Sequence, residues 1–483
     1  MEAKNLLIIM SDEHDPRFMG ASGHPFARTP NMDRLAARGT QFANAYTPCP
    51  ICVPARASYA TGRYVHEIGY WDNAIAYDGR VEGWGHRLQR EGIRHDTIGK
   101  LHYRKEEDPL GIDEQHNAMH IIDGIGMVWG SIRDPLPTRT GLAGPKRLFR
   151  KIGPGVSNYN LYDRQCANDA CNWLKRHADA EPWVLYVGFV APHFPFVVPK
   201  HYLDLYPLDA IPFPKLLPRT GYQQHPWIKE AEAFVGQDPF FESDEQRLLA
   251  MAAYFGLCTF MDEQVGLVLD MLEDTGLADS TRVVYTSDHG DNLGARGLWG
   301  KSTLYEEATK IPMIVAGPDV PTGKVSETPV NLVDIYQTVL DGADLSPDDE
   351  EMTLPGRSLF ELASGASEPE RIAFSEYHAV GAPSAAFMLR MGHYKYHHYV
   401  GFPPELFDLE TDPEELTDLA ADPAHTATLA KCEAALRVML DPDAIDKAAK
   451  ADQAALIERF GGREAAMNFG APGATPVPGQ SQE

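Results

Sequence analysis

Several things are scarce in this chain, and each scarcity excludes a class of protein. Six cysteines in 483 residues (Cys49, Cys52, Cys166, Cys171, Cys258 and Cys432) are too few and too scattered for a disulfide framework. Cys49 and Cys52 form a C-x-x-C pair, but no second Cys/His pair follows at zinc-finger spacing. No apolar run approaches the roughly eighteen residues that span a bilayer, which excludes a membrane helix. Basic residues are in deficit, 43 Lys and Arg against 69 Asp and Glu, a net charge of -26. Such a surface disfavours nucleic acid and anionic membranes as partners, although a local inversion of potential still permits an anionic substrate. No solenoid-length repeat is present. With 43% hydrophobic and 23% charged residues, the chain is ordinary globular material, neither disordered nor fibrous.

What is present reads as an α/β protein. Apolar runs at Asn5–Met10, Trp183–Phe189, Arg282–Thr286 and Pro312–Ala316 are continuous rather than alternating. That pattern predicts strands buried on both faces, a large and mostly parallel sheet flanked by helices. Thr29 and Pro30 predict a helix start, with the helix ending near Gly39, and a second helix is expected over Asp244–Leu272. Near residue 370 the character changes to a hairpin over Ala385–Tyr399 turning at Met391-Gly392-His393, followed by a helix through Leu429–Leu440. The expected organisation is a catalytic domain over 1–370, a smaller α+β subdomain over 371–440, and a C-terminal arm over 441–483. The short run after Met1 lacks a cleavage site and is expected to be a strand rather than a signal peptide, which implies a cytoplasmic protein.

Three short stretches carry chemistry. Cys52-Val53-Pro54-Ala55-Arg56 precedes Thr61-Gly62-Arg63, and Pro54 suits the first turn of a helix. Residue 52 would then sit at a helix N-terminus, where free N–H groups and the dipole favour an anion, and Arg56 and Arg63 would share a face. Asp12-Glu13 and Asp288-His289 each follow a predicted strand, at the carboxyl ends where parallel sheets place ligands. Carboxylates with one imidazole suit a hard divalent cation.

The Cys-x-Pro-x-Arg and Thr-Gly-Arg elements resemble the signature of the type I sulfatases of the alkaline phosphatase superfamily. The resemblance implies that Cys52 is oxidised to formylglycine by a formylglycine-generating enzyme, a transient partner, and that the aldehyde hydrate is the nucleophile. It also implies one metal ion, Ca²⁺ first and Mn²⁺ or Mg²⁺ next, held by Asp12, Glu13, residue 52, Asp288 and His289. Glu13 departs from the usual Asp or Gln, whereas Asp288-His289 matches the choline sulfatase and phosphonate monoester hydrolase branches. Gly99-Lys100-Leu101-His102, Pro192-His193-Phe194-Pro195 and Gly297–Ser302 resemble the segments carrying the remaining catalytic groups, Lys100, His102, His193 and Lys301. Strand spacing would put Lys100 and His102 on one face.

The implied reaction is attack of the hydrate on sulfur, with Arg56, Lys100 and Lys301 stabilising the anionic ester. His193, with Lys301 nearby, protonates or stabilises the leaving oxygen, and His102 takes the proton that lets sulfate depart. Tyr70-Trp71-Asp72-Asn73-Ala74 is similar to a choline sulfatase segment and makes Asn73 a sulfate ligand; Trp129 is a candidate aromatic wall. The expected activity is hydrolysis of small anionic sulfate monoesters, aryl or alkyl such as choline sulfate, by a homo-oligomer. Three alternatives stand beside it. One is a phosphonate monoester or phosphodiester hydrolase using the same nucleophile. Another is a metal-dependent phosphatase or mutase, which would want Ser or Thr as nucleophile. The last is an anion-binding protein whose Cys52 stays unmodified.

Overall fold

In the computed structural model, residues 4–137, 149, 151–178, 182–471 and 475–479 are described. Eight strands build the central sheet: β1 (Asn5–Asp12), β2 (Gly39–Phe42), β3 (Arg94–Lys100), β4 (Glu114–Met119), β5 (Trp183–Pro192), β6 (Thr281–Ser287), β7 (Met313–Ala316) and β8 (Lys324–Ser326). Their spatial order is β8-β2-β7-β6-β1-β5-β3-β4. Only β7 runs against its neighbours; every other pairing in this sheet is parallel.

The continuous hydrophobicity of β1 follows from its position at the centre of this sheet. Leu7 and Ile9 enter the core on one face, and Leu6, Ile8 and Met10 enter the core on the other. Strand β5 divides in the same way, with Leu185, Val187 and Phe189 on the first face and Val184 and Tyr186 on the second. With period-two side chains and helices over both faces, every position must be apolar.

The long helix Asp244–Asp274 covers the first face together with Asn158–Arg176. Ser243 caps it by accepting from Gln246 N at 3.1 Å. The helix Pro30–Ala37 begins where the sequence predicts, but Thr29 does not cap it through its side chain. Asp262 of the long helix accepts from Asn31 N at 3.1 Å and Met32 N at 2.8 Å instead. A tertiary contact thus replaces the local cap.

Beyond the central sheet, β9 (Ala373–Tyr377), β10 (Ala386–Met391), β11 (Tyr394–Tyr399) and β12 (Glu405–Asp408) form an antiparallel sheet in that order. Gly392 supplies the positive φ, 58°, of the β10–β11 turn. Helices Thr426–Met439 and Pro442–Arg459 follow.

Candidate active site

Four adjacent strands, β6, β1, β5 and β3, deliver their carboxyl ends to one place. Asp12 ends β1, Lys100 ends β3, His193 follows β5, and Asp288 and His289 follow β6. A fifth contribution comes from the helix Cys52–Thr61, which begins two residues earlier than a Pro54 start would suggest, with Cys52 in its first turn. Asp12, Glu13, Cys52, Arg56, Lys100, Asp288 and His289 are all buried.

Around Cys52 the contacts are close. Its Sγ lies 3.2 Å from His289 Nε2, 3.2 Å from Lys301 Nζ and 3.9 Å from Asp12 Oδ1. Arg56 donates to Asp288 Oδ2 at 2.8 Å, Asp12 Oδ2 at 3.1 Å, the Lys100 carbonyl at 3.0 Å and the Tyr186 hydroxyl at 2.9 Å. Lys100 Nζ meets Asp12 Oδ2 at 2.5 Å. Arg56 therefore spends its guanidinium on fixing the two carboxylates, whereas Arg63 lies past the helix end and pairs with the exposed Glu350.

The second oxygens face away from Arg56: Asp12 Oδ1 lies toward Cys52, and Asp288 Oδ1 accepts from Glu13 N at 3.2 Å and His289 N at 3.0 Å. Asp12, Cys52, Asp288 and His289 each offer one ligand atom, and these atoms lie within 4.8 Å of one another. His289 Nδ1 is 3.0 Å from the Gly290 carbonyl, an N–H donation that turns the Nε2 lone pair toward the cluster. Asp12, Glu13 and His193 form a second such group. Glu13 Oε1 and Asp291 Oδ2 are buried with no hydrogen-bond partner among the described residues. Orphaned buried carboxylate oxygens beside convergent ligand atoms fit a hard divalent cation.

The acidic groups of the site shift in opposite directions. Burial alone would raise the Asp12 carboxyl, but Lys100, His193, Lys301 and Arg56 hold it well below the usual range. Burial pushes Glu13 up to about 8 against the pull of Lys301. Burial also pushes the Cys52 thiol up to about 12, with Asp12 adding to the shift and Lys301 opposing it. Burial works against the charge on Lys301, but neighbouring carboxylates, Asp12 and Asp288 among them, raise it well above the usual lysine range.

The other candidates fall close by. Lys301 Nζ also reaches Glu13 Oε2 at 3.2 Å, and His193 Nε2 lies 3.4 Å from the same oxygen. His193 Nδ1 is 2.6 Å from the Phe194 carbonyl. His102 is not on the strand face expected for it: β3 ends at Lys100, and His102 adopts φ 58° in the left-handed region. Asn73 Oδ1 accepts from Val53 N at 3.2 Å, and its Nδ2 donates to no acceptor among the described residues. Trp129 lines a cavity together with Asn73, Phe194, Trp227, Phe234 and Lys301, so the aromatic wall and the site's lysine share one space.

Two residues of the site went unread in the sequence. Asp291 lies two residues beyond His289 and accepts from Leu293 N at 2.7 Å and Gly300 N at 3.0 Å, fixing the loop that carries Lys301. Its nearness to Asp288 was the available signal. Thr475, 2.7 Å from His102 Nε2, had no signal at all.

Comparison with known proteins gives this geometry a family. A sulfatase profile matches residues 4–345, and an N-sulphoglucosamine sulphohydrolase C-terminal profile matches residues 294–441. The chain is 31% identical to a choline-sulfatase of Rhizobium meliloti (strain 1021) over 434 residues, 85% of this chain and 81% of that protein. It is 28% identical to arylsulfatase K of Mus musculus over 443 residues, 86% of this chain and 75% of that one. In fold it resembles the phosphonate monoester hydrolase of Agrobacterium radiobacter, with a TM-score of 0.73 at 24% identity over 90% of this chain and 96% of the other. The chain belongs to the sulfatase family, and it is a sulfuric ester hydrolase acting on sulfate monoesters.

Proposed function

From this family membership we propose a sulfatase for compact aryl or alkyl esters, choline sulfate included, with a nucleophile made from Cys52. The observation that carries the proposal is the aromatic cavity opening onto Lys301 and Asn73. An apolar wall beside two hydrogen-bond donors accepts an ester whose alcohol half is flat or quaternary and whose other half is a sulfate.

As encoded, Cys52 is a protonated thiol at neutral pH, since it titrates at about 12. With the thiolate disfavoured, the proposed nucleophile is formylglycine, made from Cys52 by a formylglycine-generating enzyme. Asp12, Glu13, Asp288, His289 and residue 52 would hold one divalent ion, Ca²⁺ before Mn²⁺ or Mg²⁺ for so carboxylate-rich a set. Bound there, such an ion would supply positive charge to the nucleophilic oxygen and to the sulfate.

The protein's own residues do the rest. Lys100 and Lys301 bring cationic charge to the anionic ester. Arg56, committed to Asp12 and Asp288, acts by holding them in place. His193, with Lys301 nearby, protonates or stabilises the leaving oxygen, and His102 takes a proton as sulfate departs. Asn73 donates to the sulfate, and Trp129 packs on the alcohol half. The proposal also includes a catalytic unit over 1–370, a subdomain over 371–440 and a C-terminal arm over 441–483, in a cytoplasmic homo-oligomer. No helix among the described residues is long and apolar enough to cross a membrane.

Because the fold also accommodates phosphonate hydrolysis, the test is a substrate panel on protein whose mass shows the loss of about 18 Da on cysteine conversion. Choline sulfate, an aryl sulfate, a sugar sulfate and an aryl phosphonate monoester are compared by kcat/KM. The choline or aryl sulfate is expected to lead; a higher value for the phosphonate or the sugar sulfate overturns the proposal.

A further inference from the structure

The residues at 469–471 and 475–477 lie far from the active site in sequence but against it in space. Trp129 N donates to the Phe469 carbonyl at 3.3 Å, and Trp129 Nε1 donates to the Ala471 carbonyl at 3.0 Å. Ala471 N donates in turn to the Gly126 carbonyl at 3.0 Å. Farther along, the Tyr159 hydroxyl donates to the Thr475 carbonyl, and Val477 is buried in the core of the first sheet face. The ring of Tyr159 meets that of His193 edge-on, with centroids 6.1 Å apart. Between these anchors the Thr475 hydroxyl sits 2.7 Å from His102 Nε2.

We propose that Thr475 is a positioning residue for the sulfatase reaction: its Oγ1 accepts the Nε2–H of His102, which leaves Nδ1 as the nitrogen that takes up a proton. Three observations converge on it. His102 is only 6% exposed and Thr475 only 9%, so water does not compete freely for the contact. The His102 backbone is held by its own N–H to the Met119 carbonyl at 2.8 Å, in a left-handed conformation that sets where the ring emerges. Finally, Nδ1 is buried with no hydrogen-bond partner among the described residues.

Burial, with Lys100 and Arg56 beside it, holds the His102 imidazole well below its usual range, so the ring is neutral and carries a single N–H. Placing that hydrogen on Nδ1 would bury an orphaned donor, which costs about 1–3 kcal/mol. Placing it on Nε2 satisfies it with Thr475 and presents a lone pair on Nδ1. The hydroxyl plays the orienting part that a carboxylate plays in a Ser-His-Asp triad. The same stretch of chain, through Phe469 and Ala471, holds Trp129 in the cavity wall. The C-terminal segment thus ties the proton-handling histidine and the substrate wall together.

This inference rests on His102 handling a proton during sulfate ester hydrolysis, so its test includes a readout independent of turnover. Hydrogen–deuterium exchange at the His102 ring C2 position, followed by mass spectrometry, reports the ring's environment in the unmodified Cys52 protein and in the converted enzyme alike. Thr475→Val is expected to speed that exchange in both forms, and Thr475→Ser to leave it near the wild-type rate. In converted enzyme, T475V is expected to lower kcat about 10–100-fold with KM little changed, and T475S to recover most of it. An unchanged His102 exchange rate in T475V overturns the contact. A rise in kcat shows that Thr475 blocks the site and overturns the role. If the wild type turns over no sulfate ester, the functional reading fails while the exchange result still decides the contact.

Discussion

Two buried charge clusters in this protein look alike by composition and differ in what stands at their centre. In the active site, Asp12 and Asp288 each use one oxygen to bind Arg56 and aim the other toward a space shared with His289 and Cys52. At the junction with the C-terminal sheet, Glu306 and Glu415 converge in the same manner, with His397 nearby. There, however, the fully buried Lys395 places its ammonium 2.9 Å from Glu306 Oε1 and 2.9 Å from Glu415 Oε1. Burial would raise Glu306, but Lys395 brings it down to about 2. One cluster is closed by a single lysine set between its carboxylates; in the other, Lys100 and Lys301 pair with Asp12 Oδ2 and Glu13 Oε2, while one ligand atom each of Asp12, Cys52, Asp288 and His289 gathers within 4.8 Å. Buried carboxylates alone therefore do not mark a metal site; the informative feature is ligand atoms of different residue types brought together.

Removing the centre of each cluster should have opposite effects. Cys52→Ala is expected to lower kcat by about 10⁴-fold or more and to change the melting temperature little, since it removes one small buried atom whose contacts are to active-site groups. Activity surviving in C52A would break the assignment of the nucleophile. Lys395→Met should destabilise the fold by about 3–5 kcal/mol in urea denaturation, because two buried carboxylates lose their partner. The remaining folded enzyme should keep its kcat; a large kcat loss there would mean the junction is part of the catalytic machinery.

A third pair sharpens the contrast through pH. Glu376 on β9 binds His66 Nδ1 at 2.9 Å and His378 Nε2 at 2.8 Å. Burial would raise Glu376, but His66 and His378 lower it from 4.5 to about 2. Burial opposes the charge on His66, yet Glu376 raises its pKa above 6.5. The lowered carboxyl contributes stability that is present above pH 4.5 and is lost as pH falls toward 2. The raised imidazole contributes stability that is present below pH 6.5 and is lost as pH rises through its folded value. The pair is thus worth most between those limits, the carboxyl part about 3 kcal/mol. Glu376→Gln should cost most near pH 5.5 in urea denaturation and progressively less below pH 4. A cost that does not vary with pH would show that the loss is one of packing.

How much of this was legible depends on locality. The two-faced burial of β1 and β5 was readable because side-chain alternation is a property of a few consecutive residues. Asp12, Asp288 and His193 could be proposed because each stands at or just past the end of an apolar run. Cys52 and Arg56 could be proposed because their motif is contiguous. The cap on Pro30–Ala37 was misassigned to Thr29 because Asp262, which performs it, is more than two hundred residues away. His102 was placed on a strand face because spacing alone does not reveal where a strand stops.

The sequence by itself determined the strands, the site's local stretches and the family, because short motifs and hydrophobic period are encoded by neighbouring residues. Only the tertiary structure decided which buried carboxylates gather with His289 and Cys52 and which are paired by Lys395, since that depends on where one ammonium comes to rest. Tertiary structure alone also brought Thr475 to His102, a contact between residues 373 positions apart that no local pattern announces. Such contacts are set by the path of the packed chain, and a hydroxyl becomes chemically meaningful only once that path places it beside an imidazole.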